Sequence, residues 1–158
     1  MQKITPFLWF NNQAEEAMNF YVSVFKNSKI VSIVRYGELG PGEKGTVMTA
    51  KFLIEGQEFV AINGGPQFTF TPAISFVVNC GTQKEIDEFL EKLSKGGEKQ
   101  PCGWLKDKFG VSRQVVPVAL ADMLNDADPA KAQRVMKAML QMGKIDIKKL
   151  KEAYNNEK

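Results

Sequence analysis

Hydrophobic and polar positions along the chain predict a strand, a helix and three more strands within the first 66 residues. The strand at 3–10 is apolar on both faces, so neither face is expected to see bulk water. A helix follows, with Asn12 as its N-cap, Glu15 in the capping-box position and an apolar stripe at helical spacing. The remaining strands are expected at 30–36, 46–54 and 57–63. The glycine-rich loop from Gly37 to Gly45 is predicted to be mobile or lid-like.

The same order then begins again about 70 residues further along the chain. Thr71-Pro72 precedes a strand at 73–79, as Thr5-Pro6 precedes the first strand. Thr82 and Glu85 form a capping box for a helix that ends at Gly96-Gly97. Shorter strands are expected near 98–105 and 111–117. The pattern is a βαβββ unit written twice, and pairing the two sheets encloses a shared space.

The C-terminal part departs from this pattern and predicts helices. Asp128 and Pro129 supply a cap and an N1 proline, Gly143 ends that helix, and Asp146 caps a shorter one. We therefore divide the chain into a domain at 1–118, with modules at about 1–66 and 71–118, and a helical extension at 119–158. Packing of the methionine-rich stripe on the protein's own sheet or on a dimer mate is favoured over a peptide-binding role.

Composition narrows the classes of function. The 158 residues are 44% hydrophobic and 25% charged, which is typical of a soluble globular protein. A net charge of +3 from scattered Lys and Arg does not indicate nucleic-acid binding. We expect no membrane span, because no apolar stretch approaches ~20 residues. No export signal is recognised, so we expect a cytoplasmic protein with two reduced thiols.

Several segments together carry a resemblance to a known family. They are Thr5 to Phe10 with Ala17 to Tyr21, then 59–66, 74–80 and 102–112, and the tail pieces 128–132 and 144–147. The chain resembles the vicinal oxygen chelate superfamily, which includes glyoxalases, extradiol dioxygenases, epimerases and drug-sequestering resistance proteins. More closely it resembles the PhnB-like branch, often labelled 3-demethylubiquinone-9 3-methyltransferase. The resemblance implies an α+β fold of two paired βαβββ modules with a central cavity, usually in a homodimer.

Metal-using members of that superfamily take ligands from the first and last strand of each module. The resemblance places those positions near Pro6, near Ala61 or Asn63, near Ser75 and at Gln114. The chain has no histidine, and its first-strand segments carry no carboxylate, whereas a catalytic divalent site needs about three strong ligands. We therefore expect no metal. We also expect no cofactor, because no glycine-rich turn links a strand to a helix in the way that grips a nucleotide-like group.

Other catalytic chemistry finds little support in the sequence. Without histidine there is no nucleophile–histidine couple. Glu98 and Asp107 are the best acid–base candidates, but Asp107 is expected to cap a turn. Cys102 is expected to be an inert thiol. Arg113, where relatives tend to carry Trp, points away from Gln114 and favours a surface or interface salt bridge over an anion contact.

A cavity remains as the candidate functional feature. Its predicted lining residues are Leu8, Phe10, Asn63, Ser75, Val77 and Gln114, with Trp104 at the rim. Mostly apolar walls with a few amides and hydroxyls are typical of small-molecule pockets. The first hypothesis is a metal-independent protein that binds a small apolar or aromatic molecule. The alternatives are an enzyme, either a lyase or isomerase or the methyltransferase of the family label, and an interaction module that acts through its C-terminal helices.

Overall fold

The computed structural model describes residues 1–157 and divides into two compact units, residues 1–70 and the chain from residue 71 onward. Each unit contains one four-stranded sheet with parallel and antiparallel pairs. The α+β class and the two βαβββ modules are therefore confirmed.

The first unit contains β1 (Phe7–Phe10), α1 (Ala14–Val24), β2 (Ser28–Arg35), β3 (Val47–Ile54) and β4 (Gln57–Asn63). Its strands lie in the order β1-β4-β3-β2. The second unit contains β5 (Ser75–Cys80), α2 (Gln83–Ser94), β6 (Glu98–Lys99), β7 (Trp104–Lys106), β8 (Ser112–Pro117), α3 (Ala119–Leu124), α4 (Pro129–Leu140) and α5 (Ile147–Tyr154), with a 3-10 turn at Pro101–Gly103. Its strands lie in the order β5-β8-β7-β6.

Helix α1 covers one face of the first sheet. Its buried stripe of Ala14, Ala17, Met18, Tyr21 and Val24 follows the predicted spacing. The ring of Tyr21 lies 6.2 Å from that of Phe52 on β3, which identifies the face that the helix covers. Strand register then places Ala50, Ala61 and Leu8 on this same face.

The start of α1 is capped from a distance and not by its neighbouring residue. The N-cap position is Gln13, which makes no side-chain capping bond, so the prediction of an Asn12 cap is wrong. The side-chain oxygen of Asn63, at the end of β4, instead accepts the backbone N–H of Ala14 at 2.8 Å. The Asn63 amide nitrogen donates to the carbonyl of Val47 at 3.1 Å, so one side chain joins β4, α1 and β3.

Helix α2 covers one face of the second sheet and begins as predicted. The Thr82 hydroxyl accepts the backbone N–H of Glu85 at 3.2 Å, which confirms the cap. The apolar side of α2 buries Ile86, Leu90 and Leu93, and the sheet contributes Val78, Cys80, Leu105 and Val115 to the buried layer.

The C-terminal helices pack within the second unit. Leu120, Val135, Ile145 and Leu150 form a buried cluster that also takes in Val116 of β8. Backbone bonds of 2.9 and 2.8 Å run from Cys102 and Gly103 to the carbonyls of Met142 and Gly143. Val135, Met139 and Met142 of the predicted stripe pack in or against this cluster, whereas Leu140 of the same stripe is exposed. None of the helices within residues 1–157 is long and apolar enough to cross a membrane.

The long-range cap makes a testable prediction about stability. Asn63→Ala removes the bonds to Ala14 and Val47, and we expect a loss of about 1–3 kcal/mol in the free energy of unfolding. Asn12→Ala is the matched control and should cost almost nothing, because Asn12 is exposed and does not cap α1. Urea unfolding followed by circular dichroism measures both variants. Equal losses in the two variants would contradict the assignment of the cap to Asn63.

Candidate functional site

Two of the predicted lining residues belong to the core of the first unit, and a third, Asn63, is partly buried beside it. Leu8 and Phe10 are only 5% and 3% exposed and lie on the face that α1 covers, while Phe7, on the opposite face, is 60% exposed. The Asn63 side-chain oxygen accepts the Ala14 N–H that caps α1, and its amide nitrogen donates to the Val47 carbonyl. For Leu8 and Phe10 the expectation that they face a ligand is therefore corrected, because both pack beneath α1. Asn63 joins β4, α1 and β3 and also lines a cleft of this unit.

The other four predicted residues lie together on one face of the second sheet. Val77 of β5 lies opposite Gln114 of β8, which lies opposite Trp104 of β7. The Gln114 amide nitrogen donates to the Ser75 hydroxyl at 2.9 Å. Val77 is 47% exposed, and the other three are partly buried. This surface, on the side of the sheet away from α2, is called the Gln114 face below.

Two further polar residues share the Gln114 face and were not predicted. Lys106 and Ser112 lie opposite each other on β7 and β8, and Ser112 lies opposite Ser75 on β5. The strand predicted at 98–105 stopped one residue before Lys106. Ser112 lies two residues before Gln114 on the same strand, so alternation along β8 is the signal that identifies it.

The charged residues on the other side of the sheet have structural roles. Asp107 is 2% exposed, and its carboxylate accepts the backbone N–H groups of Phe109 at 2.9 Å and Val111 at 3.0 Å. It therefore caps the turn between β7 and β8. Arg113 lies 3.6 Å from the same carboxylate and over the ring of Phe76, so its ion pair is buried within the unit and not at the surface.

The two thiols differ in their surroundings. Burial, with a smaller contribution from the nearby Glu85 carboxylate, raises the pKa of Cys80 to about 11. Cys102 is partly exposed and adopts a left-handed backbone conformation with φ of 63° before Gly103. Neither cysteine forms a disulfide.

The residues do not fit a catalytic divalent metal. No group of three His, Cys, Asp or Glu side chains within residues 1–157 is placed to hold an ion. At the strand positions where metal-using relatives carry ligands, Ser75 and Gln114 bond to each other, and the Asn63 amide is used by backbone groups. Neutral hydroxyls and amides of this kind are weak ligands beside imidazole and carboxylate.

The residues also do not fit a nucleotide-like cofactor. The strand-to-helix turns are Asn11 to Gln13 after β1 and Gly81-Thr82 after β5. Neither has the closely spaced glycines that let a backbone approach a bound phosphate or nucleoside. In the second turn the Thr82 hydroxyl already accepts the backbone N–H of Glu85 as the helix cap.

The first unit has a polar cleft of about 630 Å³ that the sequence did not predict. It lies between the start of α1, the β2–β3 loop and the end of β4. Its lining includes Asn12, Glu15, Arg35 and Glu43, and the buried ring of Tyr36 closes one side, where its hydroxyl donates to the Asn63 carbonyl at 2.6 Å. Because this cleft contains both carboxylates and a guanidinium, its lining does not select between an anionic and a cationic ligand.

Comparison of folds places the chain among proteins of the glyoxalase and bleomycin-resistance fold. The PhnB protein from Bacillus cereus is 49% identical, over 74% of this chain and 100% of that chain, with a TM-score of 0.68. A protein from Pseudomonas aeruginosa is 21% identical, over 74% and 98%, with a TM-score of 0.63. The fosfomycin resistance protein FosX from Mesorhizobium loti is 13% identical, over 80% and 100%, with a TM-score of 0.55, and shares the fold alone.

Sequence comparison defines the family. A family model described as 3-demethylubiquinone-9 3-methyltransferase matches residues 2–116. The chain belongs to this family, and the PhnB-like resemblance is confirmed. Residues 117–158 lie outside the matched segment. No curated protein matches the chain.

The thiol environments predict selective labelling. At pH 8 a thiol with a pKa of about 11 is thiolate in roughly one molecule in a thousand, so Cys80 should not react with Ellman's reagent in the folded protein. One thiol, Cys102, should react in native protein and two after unfolding in guanidinium. Cys80→Ala should leave the native labelling unchanged. Rapid labelling of two thiols in native protein would show that Cys80 is accessible.

Proposed function

We propose that this protein binds a small, largely apolar or aromatic molecule on the Gln114 face, without a metal. The observation that carries the proposal is that Gln114, whose amide donates to the Ser75 hydroxyl, lies between the exposed Val77 and the partly buried Trp104 in the strand register. A few polar groups set among apolar side chains are what small-molecule sites use to fix orientation.

Gln114 keeps hydrogen-bonding capacity for a ligand. Its amide has two donors and one carbonyl oxygen, and the bond to Ser75 uses one donor. No other bond to this side chain is found within residues 1–157, which leaves one donor and one acceptor for a bound molecule. Trp104, directly opposite in the register, supplies a large aromatic surface beside them.

Metal independence is supported by the chemistry of the available side chains. The face offers hydroxyl, amide and ammonium groups and a single carboxylate, that of Glu98, whereas a catalytic divalent site needs about three strong ligands. The lyase or isomerase alternative and the methyltransferase named by the family description stay open as enzyme hypotheses. A stoichiometric metal, or saturable binding of S-adenosylmethionine, would favour them.

The homodimer is a prediction that rests on the family resemblance, and the cytoplasmic location stays a prediction of the sequence analysis. Native mass spectrometry on untagged protein, with elemental analysis of the same sample, tests the dimer and the metal together. A metal-free dimer carrying a co-purified small mass would support the proposal. One bound metal ion per chain would overturn its metal-independent part.

The two tryptophans allow a direct test of the site. We expect benzyl alcohol, benzamide and benzoate, titrated to millimolar concentration, to change the tryptophan fluorescence in wild type and in Trp9→Phe. The change should disappear in Trp104→Phe, because only Trp104 lies on the Gln114 face. Gln114→Leu keeps the size of the side chain and should weaken binding roughly tenfold through the lost hydrogen bonds.

Two outcomes would contradict this site. A signal that survives in Trp104→Phe and is lost in Trp9→Phe would place binding on the first unit. The absence of any saturable signal or calorimetric heat with all three compounds would remove the proposal.

A further inference from the structure

We propose that the ligand of the Gln114 face carries an oxyanion, a carboxylate or a phosphonate, and that Lys106 and Ser112 bind it. This inference rests on the proposed function and specifies the chemical class of its ligand. The observations that carry it are an amine without an ion-pair partner and a buried hydroxyl without a hydrogen bond, side by side on the face that holds Gln114.

The strand register sets these groups in adjacent rows. Glu98, Lys106, Ser112 and Ser75 lie opposite one another in one row across the sheet. Trp104, Gln114 and Val77 form the next row on the same face. Neighbouring strands are about 4.8 Å apart and same-face residues about 7 Å apart along a strand. A molecule the size of a substituted benzene ring therefore reaches from Trp104 to Lys106.

Ser112 has a hydroxyl that folding alone does not satisfy. The residue is 1% exposed, and its oxygen has no hydrogen-bond partner among residues 1–157. Buried polar groups are nearly always bonded, and those that are not call for an explanation. A ligand oxygen that accepts the Ser112 O–H would supply the missing bond.

Lys106 supplies the charge that selects an anion. Its side chain is partly buried, and no carboxylate lies within ion-pair distance of it in the described chain. Glu98 is opposite in the register, but it is exposed and forms no ion pair with Lys106. Asp107, next in sequence, points to the other side of the sheet and caps its turn there. The ammonium is thus the one positive charge in these two rows, and it forms no ion pair.

The two groups suit one ligand. Lysine is a flexible chain with three donors, and a hydroxyl is a fourth, so together they match the several acceptor oxygens of a carboxylate or phosphonate. Because Ser112 is covered, an anion reaches its hydroxyl only after a neighbouring side chain moves. Lys106, the long chain directly opposite in the register, can move toward the anion that it attracts.

The test compares charged and neutral ligands of the same shape. We expect isothermal titration calorimetry to show benzoate or phenylphosphonate binding roughly 10- to 100-fold more tightly than benzamide, as charge-assisted hydrogen bonds provide. Lys106→Gln should remove most of that preference. Lys92→Gln, on the exposed surface of α2, changes the net charge equally and should keep the preference. The ratio of benzoate to phenylphosphonate affinity identifies the oxyanion.

Ser112→Ala gives a second signature that a purely structural residue would not show. Because the hydroxyl makes no bond in the folded chain, its removal should not lower the melting temperature. The same substitution should weaken the preferred oxyanion roughly tenfold. A marked loss of thermal stability, or unchanged oxyanion affinity, would contradict the role given to Ser112.

The remaining outcomes separate the inference from the proposed function. If benzamide binds as tightly as the oxyanions in wild type, the oxyanion site is wrong and the small-molecule site stands. If Lys92→Gln reduces the preference as much as Lys106→Gln does, the preference reflects net charge and the oxyanion site is again wrong. If none of the compounds binds, the proposed function fails and the inference fails with it.

Discussion

Successive side chains of β8 point to opposite faces of the second sheet, and this alternation separates the candidate site from the core. Ser112 and Gln114 face one way, while Arg113 and Val115 face the buried layer beneath α2. A slip of one residue in the pairing of β8 would bury Gln114 and bring Arg113 to the Gln114 face. The parallel pairing with β5 and the antiparallel pairing with β7 hold the register from both sides. The register of the sheet therefore determines which side chains reach the proposed site.

The two units use their repeated pattern differently. In the second unit the helix is capped locally by Thr82, so the polar side chains of β5 and β8 are left for other contacts. In the first unit no neighbouring side chain caps α1, and the side chain of Asn63 at the end of β4 caps it instead. An amide in a position where relatives carry a ligand is thereby used for stability. Of the seven predicted residues, two thus lie in the core, Asn63 serves as a cap, and four lie on the Gln114 face.

Most of the fold follows from local patterns, and the failures have specific physical causes. Capping residues and apolar spacing located α2, α4 and α5 because those signals lie within a few residues of each helix. The Asn63 cap was missed because its partner is 49 residues away. Helix α3 was missed because it is six residues long and its N-cap residue, Val118, makes no side-chain capping bond. Leu8 and Phe10 were assigned to the ligand because β1 is apolar on both faces, and alternation alone does not say which face a helix covers.

The C-terminal helices set a limit to the Gln114 face that bears on what can bind there. Val116 follows Gln114 on the same side of β8, and the buried cluster of Leu120, Val135, Ile145 and Leu150 packs against it. The backbone bonds from Cys102 and Gly103 hold the same helices against the turn that precedes Trp104. A molecule bound at the proposed site would meet this cluster in the direction of Val116, whereas Ser112 and Lys106 lie in the opposite direction along the strands. In the proposed site, the helices that lie outside the matched family segment would therefore border the ligand on the Val116 side.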